Sequence, residues 1–123
     1  MDVDPAFLSA IPDGMTDDEA LGALAALAHP TRLNAFRLLV AHEPEGLATG
    51  ELADAAGLGQ STFSTHLAVL ARAGLVTAEK RGRNQIQRAR IDTLRALMVF
   101  LARDCCRGRA ELCEPLLADL VRC

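Results

Sequence analysis

The chain has 123 residues, half of them apolar, and a net charge of −3, a balance that suits one folded domain and excludes a disordered polymer. No apolar run approaches the roughly 18 residues that a membrane-crossing helix needs, and the N-terminal stretch is acidic where a secretion signal is basic, so a cytoplasmic location is expected. With no Trp or Tyr and with abundant Ala and Leu, closely packed helices are favoured over a sandwich or barrel. The charge is unevenly spread: residues 1–59 carry 10 acidic and 2 basic groups, residues 60–95 carry 7 basic and 2 acidic, and the remainder carries 4 of each. Binding responds to the local field, so the basic middle third is where an anionic partner is expected.

A short accessory helix is predicted from Asp4-Pro5 to the breakers Pro12 and Gly14. Thr16 then opens a helix over residues 16–28, with Glu19 three positions on completing a capping box and Asp17, Asp18 and Glu19 at the positive helix end. Leu21, Leu24, Ala25 and Leu27 give it a smooth surface fit for helix contact. Pro30 starts the next helix, with Leu33, Phe36, Leu39 and Val40 as expected core, and Glu43 to Gly46 connects it onward.

Residues 48–56 read as a short helix with Leu52, Ala55 and Ala56 inward. A turn with Gly57 and Gly59 joins it to a second helix, closed by Gly74, in which Phe63, Leu67 and Leu70 share a buried stripe. This is helix-turn-helix spacing. The opposite face of the second helix offers Gln60, Ser61, Thr62, Ser64, Thr65 and His66. Ordinary solvated faces mix Glu, Lys and Arg, whereas short neutral donors and acceptors without a carboxylate suit base edges and phosphates in a major groove.

From Leu75 to Ile91 the period changes to two on either side of Arg81-Gly82-Arg83-Asn84, which predicts a hairpin with a basic tip. A charged tip is often plain solvation, but directly after such a helix it suits a wing lying along the DNA backbone or minor groove. Asp92 then caps a long helix whose Leu94, Leu97, Met98, Leu101 and Cys105 recur at three and four. That stripe is expected to pair with its copy, aided by the Ala-rich helix at 16–28, giving a symmetric dimer. Two recognition helices about 34 Å apart would read an inverted repeat in double-stranded operator DNA. The last segment, from Glu114, is expected to start a helix at Pro115 and dock on the dimer.

The runs Ala26-Leu27-Ala28-His29-Pro30-Thr31-Arg32-Leu33, Gln60-Ser61-Thr62-Phe63-Ser64-Thr65-His66-Leu67-Ala68-Val69-Leu70 and Ala73-Gly74-Leu75-Val76, with the Arg-Gly-Arg hairpin, together resemble the ArsR/SmtB family of metal-responsive repressors over about residues 18–105. The resemblance implies a mainly α, winged helix-turn-helix homodimer in one domain. Dimerisation helices would lie at about 16–28 and 92–105, the helix-turn-helix at 48–73, the wing at 75–91 and a sensor segment at 104–123. It further implies that Gln60, Ser61, Ser64, Thr65 and His66 face DNA and that Arg81 and Arg83 make the wing contacts. Of the family's familiar sensor sites, the Cys-Val-Cys before the turn is replaced by Leu47 to Leu52. The Asp and His ligands of the last helix are reduced to Asp92, since the three histidines are His29, His42 and His66.

All four cysteines lie in the last nineteen residues: Cys105, Cys106, Cys113 and Cys123. A cytosolic chain has little use for structural disulfides, and adjacent cysteines bridge one another only with strain. Cys105, Cys106 and Cys113 can converge across Arg107-Gly108-Arg109 on one soft centre, with Cys123 a spare. Three thiolates in a pyramid suit As(III) or Sb(III) as inducer, while zinc or cadmium prefers a fourth ligand and a thiol redox or persulfide switch needs only two sulfurs. The run from Cys105 to Cys113 also resembles the C-terminal arsenite site of some family members, with Ala110 in place of a stiffening Pro. Arg103, Arg107 and Arg109 favour thiolates, and the negative helix end at Cys105 opposes them. An enzyme using thiol attack on an oxyanion would place an Arg six residues after the nucleophile, but those positions hold Glu111 and Leu112, so no enzyme is expected.

Overall fold

The computed structural model describes residues 14–106 and 110–121, with the side chains of 103–106, 110–113, 117 and 121 outside that description. The accessory helix expected before Gly14 and the spare Cys123 also lie outside the described residues.

Helix α1, Asp17–Leu27, begins at the capping box: Glu19 N–H donates to Thr16 Oγ1 at 3.1 Å and Thr16 N–H donates to Glu19 Oε1 at 3.0 Å. The bonds from Thr16 favour the ionised carboxyl and hold Glu19 below its usual range. Ala20, Ala23 and Ala26 are buried, and such small side chains let neighbouring helices approach closely, while Leu21 (62 % exposed) and Leu24 face outward.

Helix α2, Pro30–Ala41, starts on His29, whose extended backbone suits a residue before proline and whose Nδ1 accepts the Thr31 N–H at 3.2 Å. Ala35, Phe36 and Leu39 are buried. Leu33, expected in the core, is instead exposed. At 100° per residue it lies roughly 110° around the helix from the centre of the Ala35, Phe36 and Leu39 face.

Strand β1, Leu47–Ala48, leads into helix α3, Thr49–Ala56. The strand was not expected, because two residues carry no period to read. In α3 it is Leu52 and Ala53 that are buried. Ala55 and Ala56, expected inward, are exposed and line a shallow groove against Pro30, Thr31 and Leu38, since the last turn of this eight-residue helix overhangs α2. Helix α4, Gln60–Arg72, buries Phe63, Leu67 and Leu70 as the spacing predicts.

Both helices of the pair stop in the same way. Leu58 N–H donates to the Ala53 carbonyl and Gly57 N–H to that of Asp54; after α4, Leu75 N–H donates to Leu70 and Gly74 N–H to Ala71, all within 3.0–3.1 Å. These paired bonds satisfy carbonyls that a helix end would leave open. Leu75 is fully buried with Phe63, Leu39, Leu52 and Leu70, the centre of the core where α2, α3 and α4 meet.

Strands β2, Val76–Arg81, and β3, Asn84–Ala89, pair antiparallel from Val76↔Ala89 to Arg81↔Asn84 around a two-residue turn. β1 joins the far edge of β3 through Leu47↔Gln87 and Ala48↔Ile86, so the sheet order is β1-β3-β2.

Helix α5, Ile91–Cys106, divides the stripe that was expected to serve one dimer contact. Ala96 and Leu97 are buried in the chain's own core, with Leu94 and Phe100 packed against it; Ile91, Met98 and Leu101 are exposed. The division arises because only one side of α5 meets α1, and the helix continues beyond that contact. Helix α6, Ala110–Val121, starts five residues before Pro115, which the sequence had placed at its first turn. Proline there removes one i→i−4 bond from the helix interior, and the run Ala110-Glu111-Leu112 ahead of it is made of good helix formers. Leu116 and Leu120 of α6 line an apolar groove with Ile91, Leu94 and Met98 of α5. Among the described residues no helix is long and apolar enough to cross a membrane.

Candidate nucleic-acid interface

The α4 helix begins on Gly59, which has no side chain to cap it, so the amides of its first turn point beyond the helix end without intrahelical acceptors. No acidic residue stands in that turn. A helix start of this kind attracts phosphate through its amides and its dipole. Gln60, Ser61, Thr62, Ser64 and Thr65 are all exposed around it. The Thr65 hydroxyl donates to the Thr62 carbonyl. A Cβ at Gly50 would meet the Gln60 amide nitrogen at 2.8 Å, so the start of α3 supports the first side chain of α4.

His66 stands apart from this face. It is half-buried, with Nδ1 3.3 Å from Arg32 Nη1 and its ring centroid 4.6 Å from that of His29. Arg32 is itself fixed, its Nε donating to the Ala26 carbonyl at 2.6 Å. Burial, then the nearby His29 and Arg32, push the His66 imidazole below its ordinary pKa and favour its neutral form.

At the hairpin tip Arg81 and Arg83 are exposed. Arg81 Nη2 lies 3.2 Å from Glu79 Oε2, both about half exposed, and Arg83 has no ion pair among the described residues. An exposed pair of that kind is weak enough to exchange for a phosphate. The strand behind the tip is anchored to the rest of the domain. Arg88 grips Glu43 through Nε at 3.2 Å and Nη2 at 2.7 Å, a bidentate contact that raises the guanidinium above its usual pKa. Buried Gln87 donates from Nε2 to Thr49 Oγ1 at 3.2 Å, and the Thr49 hydroxyl donates to the Gln85 carbonyl at 3.3 Å. The partners in these contacts are separated by 36 to 45 positions, so no local pattern could have revealed them.

A second link joins α4 to α5: the Thr93 hydroxyl donates to the Gly74 carbonyl at 2.7 Å. Beside it Arg90 Nη2 is 2.8 Å from Asp92 Oδ2, a hydrogen bond that holds Asp92 below the usual carboxylate range.

Of the cysteines, Cys105 and Cys106 occupy the last turn of α5 and Cys113 the first turn of α6. Their side chains lie outside the described residues. Among the described residues no three His, Cys, Asp or Glu side chains gather as they would around a metal ion.

An exposed helix with an uncharged polar face, its supporting helix and a basic hairpin on an anchored sheet define a winged helix-turn-helix DNA-binding protein. Residues 27–79 match the family model of a helix-turn-helix domain. A solved structure described as a possible transcriptional regulator for arsenical resistance is 34 % identical, with 65 % of this chain and 80 % of that one covered at a TM-score of 0.57. The homodimeric winged helix-turn-helix DNA-binding domain of a possible ArsR-family regulator from Mycobacterium bovis is 26 % identical (79 % and 96 % covered, TM-score 0.58). Reduced HlyU from Vibrio cholerae is 30 % identical (67 % and 85 %, TM-score 0.56). The chain belongs to the ArsR family of transcriptional regulators. Among curated proteins none matches it.

Replacing Arg81 and Arg83 together by alanine is expected to weaken duplex DNA binding similarly for all sequences. It should also flatten the dependence of log affinity on log salt by about 1.8, the contribution of two phosphate contacts. Fluorescence anisotropy across a salt series checks this, and an unchanged slope removes the tip from the interface.

Proposed function

We propose that the chain acts as a homodimeric repressor that leaves an inverted-repeat operator when As(III) or Sb(III) is held by Cys105, Cys106 and Cys113. The observation that carries this reading is the placement of these residues along the backbone. Two stand at the end of α5 and the third in the first turn of α6, with three residues between the helices. A set of three sulfurs without a fourth ligand fits a trivalent, pyramidal centre better than tetrahedral zinc. The neighbour described as a possible transcriptional regulator for arsenical resistance supports the same ligand class.

The dimer rests on exposed Leu21 and Leu24 of α1 and Ile91, Met98 and Leu101 of α5, an apolar set that a second copy would cover. Drawing Cys113 toward Cys105 and Cys106 tightens the join between α6 and the helix at the dimer seam. A rotation of one protomer against the other then takes the two α4 helices out of the spacing that one face of DNA requires.

Arsenite is expected to lower operator affinity by about 5- to 150-fold, the usual span of such coupling, and serine at Cys105, Cys106 or Cys113 should abolish the effect. Fluorescence-detected operator binding with arsenite, antimonite, zinc, cadmium and peroxide added in turn measures both. An arsenite response that survives the three serine variants overturns the assignment. The similarity to HlyU, solved in a reduced form, favours a second reading, a thiol redox switch using the adjacent pair, for which peroxide alone would release the DNA.

A further inference from the structure

The His66–His29–Arg32 corner is left unused by the interface described above, and its hydrogen bonding constrains its protonation. Arg32 can only donate, so His66 Nδ1 must accept. The Thr31 amide can only donate, so His29 Nδ1 must accept as well. Neutral His66 therefore carries its single proton on Nε2. A second proton on His66 breaks its bond to Arg32 and sets one cation against another at 3.3 Å.

The geometry points to His66 as a positioning residue: neutral, it ties the recognition helix to the start of α2, and protonated it frees that helix and weakens DNA binding. The groups acting on it are confined to α2 and its cap. His29 and Arg32 are the charged or titratable neighbours that bear on His66 among the described residues. Helix α1 meets this corner with the uncharged run 20–28, and α4 holds no other ionisable side chain before Arg72. The lowered pKa of His66 agrees in sign. A group that is harder to protonate when folded costs nothing above the unfolded value of about 6.5, and its penalty grows as pH falls from there through the depressed value.

The inference rests on the DNA-binding reading but not on the identity of the inducer. Its sign opposes two simpler expectations. Acidification makes any protein more positive and tightens DNA binding, and a His66 that touched phosphate directly would bind more strongly once charged.

The test compares binding of duplex operator DNA at pH 8.0 and pH 5.5, at fixed ionic strength, by the intact chain and by His66→Gln. Glutamine keeps an acceptor for Arg32 and does not titrate. The intact chain is expected to lose about tenfold in affinity on acidification, a coupling of ordinary size, and His66→Gln to lose nothing or to gain. The readout is the ratio between the two pH values, whatever affinity the variant has at pH 8.0, with circular dichroism at both pH values to confirm that it is folded. His29→Asn, which keeps a capping side chain without an imidazole, should lose less than the intact chain. A tightening of the intact chain at low pH, or an equal loss in His66→Gln, overturns the role given to His66. Absence of binding at both pH values overturns the DNA-binding reading and this inference with it.

Discussion

Phe63→Ala is expected to remove about 3 to 5 kcal/mol of folding stability, a large share of the roughly 5 to 15 kcal/mol available to a domain of this size. Phe63 is completely buried, in company with Leu39, Leu52, Leu70 and Leu75, so truncation leaves a cavity bounded by residues that three different helices hold in place. Little can relax to fill it. The aromatic ring also sets the roll of α4, because the face that carries Ser64 and Thr65 is fixed by what lies beneath it. Urea unfolding followed by far-ultraviolet circular dichroism measures the loss, and Ser64→Ala, on the exposed side of the same helix, should stay within about 0.5 kcal/mol of the parent. A Phe63→Ala loss below about 1 kcal/mol would show that the centre of the core lies elsewhere.

The second large effect belongs to Gly46, and it is best read against Gly57. Both have positive φ, 72° and 70°, where a side chain costs about 1 to 2 kcal/mol from backbone sterics alone. At Gly57 an added Cβ meets nothing within 4 Å, so Gly57→Ala should cost that amount and no more. At Gly46 the same atom would stand 2.4 Å from the Gln87 carbonyl oxygen, 2.8 Å from Arg88 Cγ and 2.9 Å from Ile86 Cγ2. The first contact is with backbone, so β3 itself must move, and with it the Leu47↔Gln87 pairing. Gly46→Ala is therefore expected to cost about 3 kcal/mol or more, combining the backbone term with strain in a packed site. Parallel urea titrations of the two variants check the order, and equal losses would mean that the sheet accommodates the methyl group.

What could be read from the residues was what repeats over a short span. The Phe63, Leu67 and Leu70 spacing fixed the inner side of α4, the Thr16 and Glu19 pair marked the start of α1, and Arg81-Gly82-Arg83 marked a hairpin tip; the structure has each of these. Elements without a period were not legible. β1 is too short to alternate, and in Leu52-Ala53-Asp54-Ala55-Ala56 the alanines are too alike for the sequence to say which of them turn inward. The grip of Arg88 on Glu43 depends on how the chain closes, which only the folded form reveals. His66 is an intermediate case. It was grouped with the outer residues, yet three positions from Phe63 places it only about 60° from the buried stripe, a signal that outweighs its polarity.

The hydroxyl of Thr93 on the Gly74 carbonyl ties the end of α4 to the start of α5. From Arg72 back to Gln60 helix α4 is about 18 to 20 Å long at 1.5 Å per residue. A tilt of only about five degrees about that tie would swing the leading side chains by about 1.6 Å, more than the latitude of a hydrogen bond to a base edge. Phe63 sits only three residues from Gln60 and is completely buried, so the same tilt would press on the core almost as much as on the contact, and the aim of the leading side chains is held by the packing beneath them.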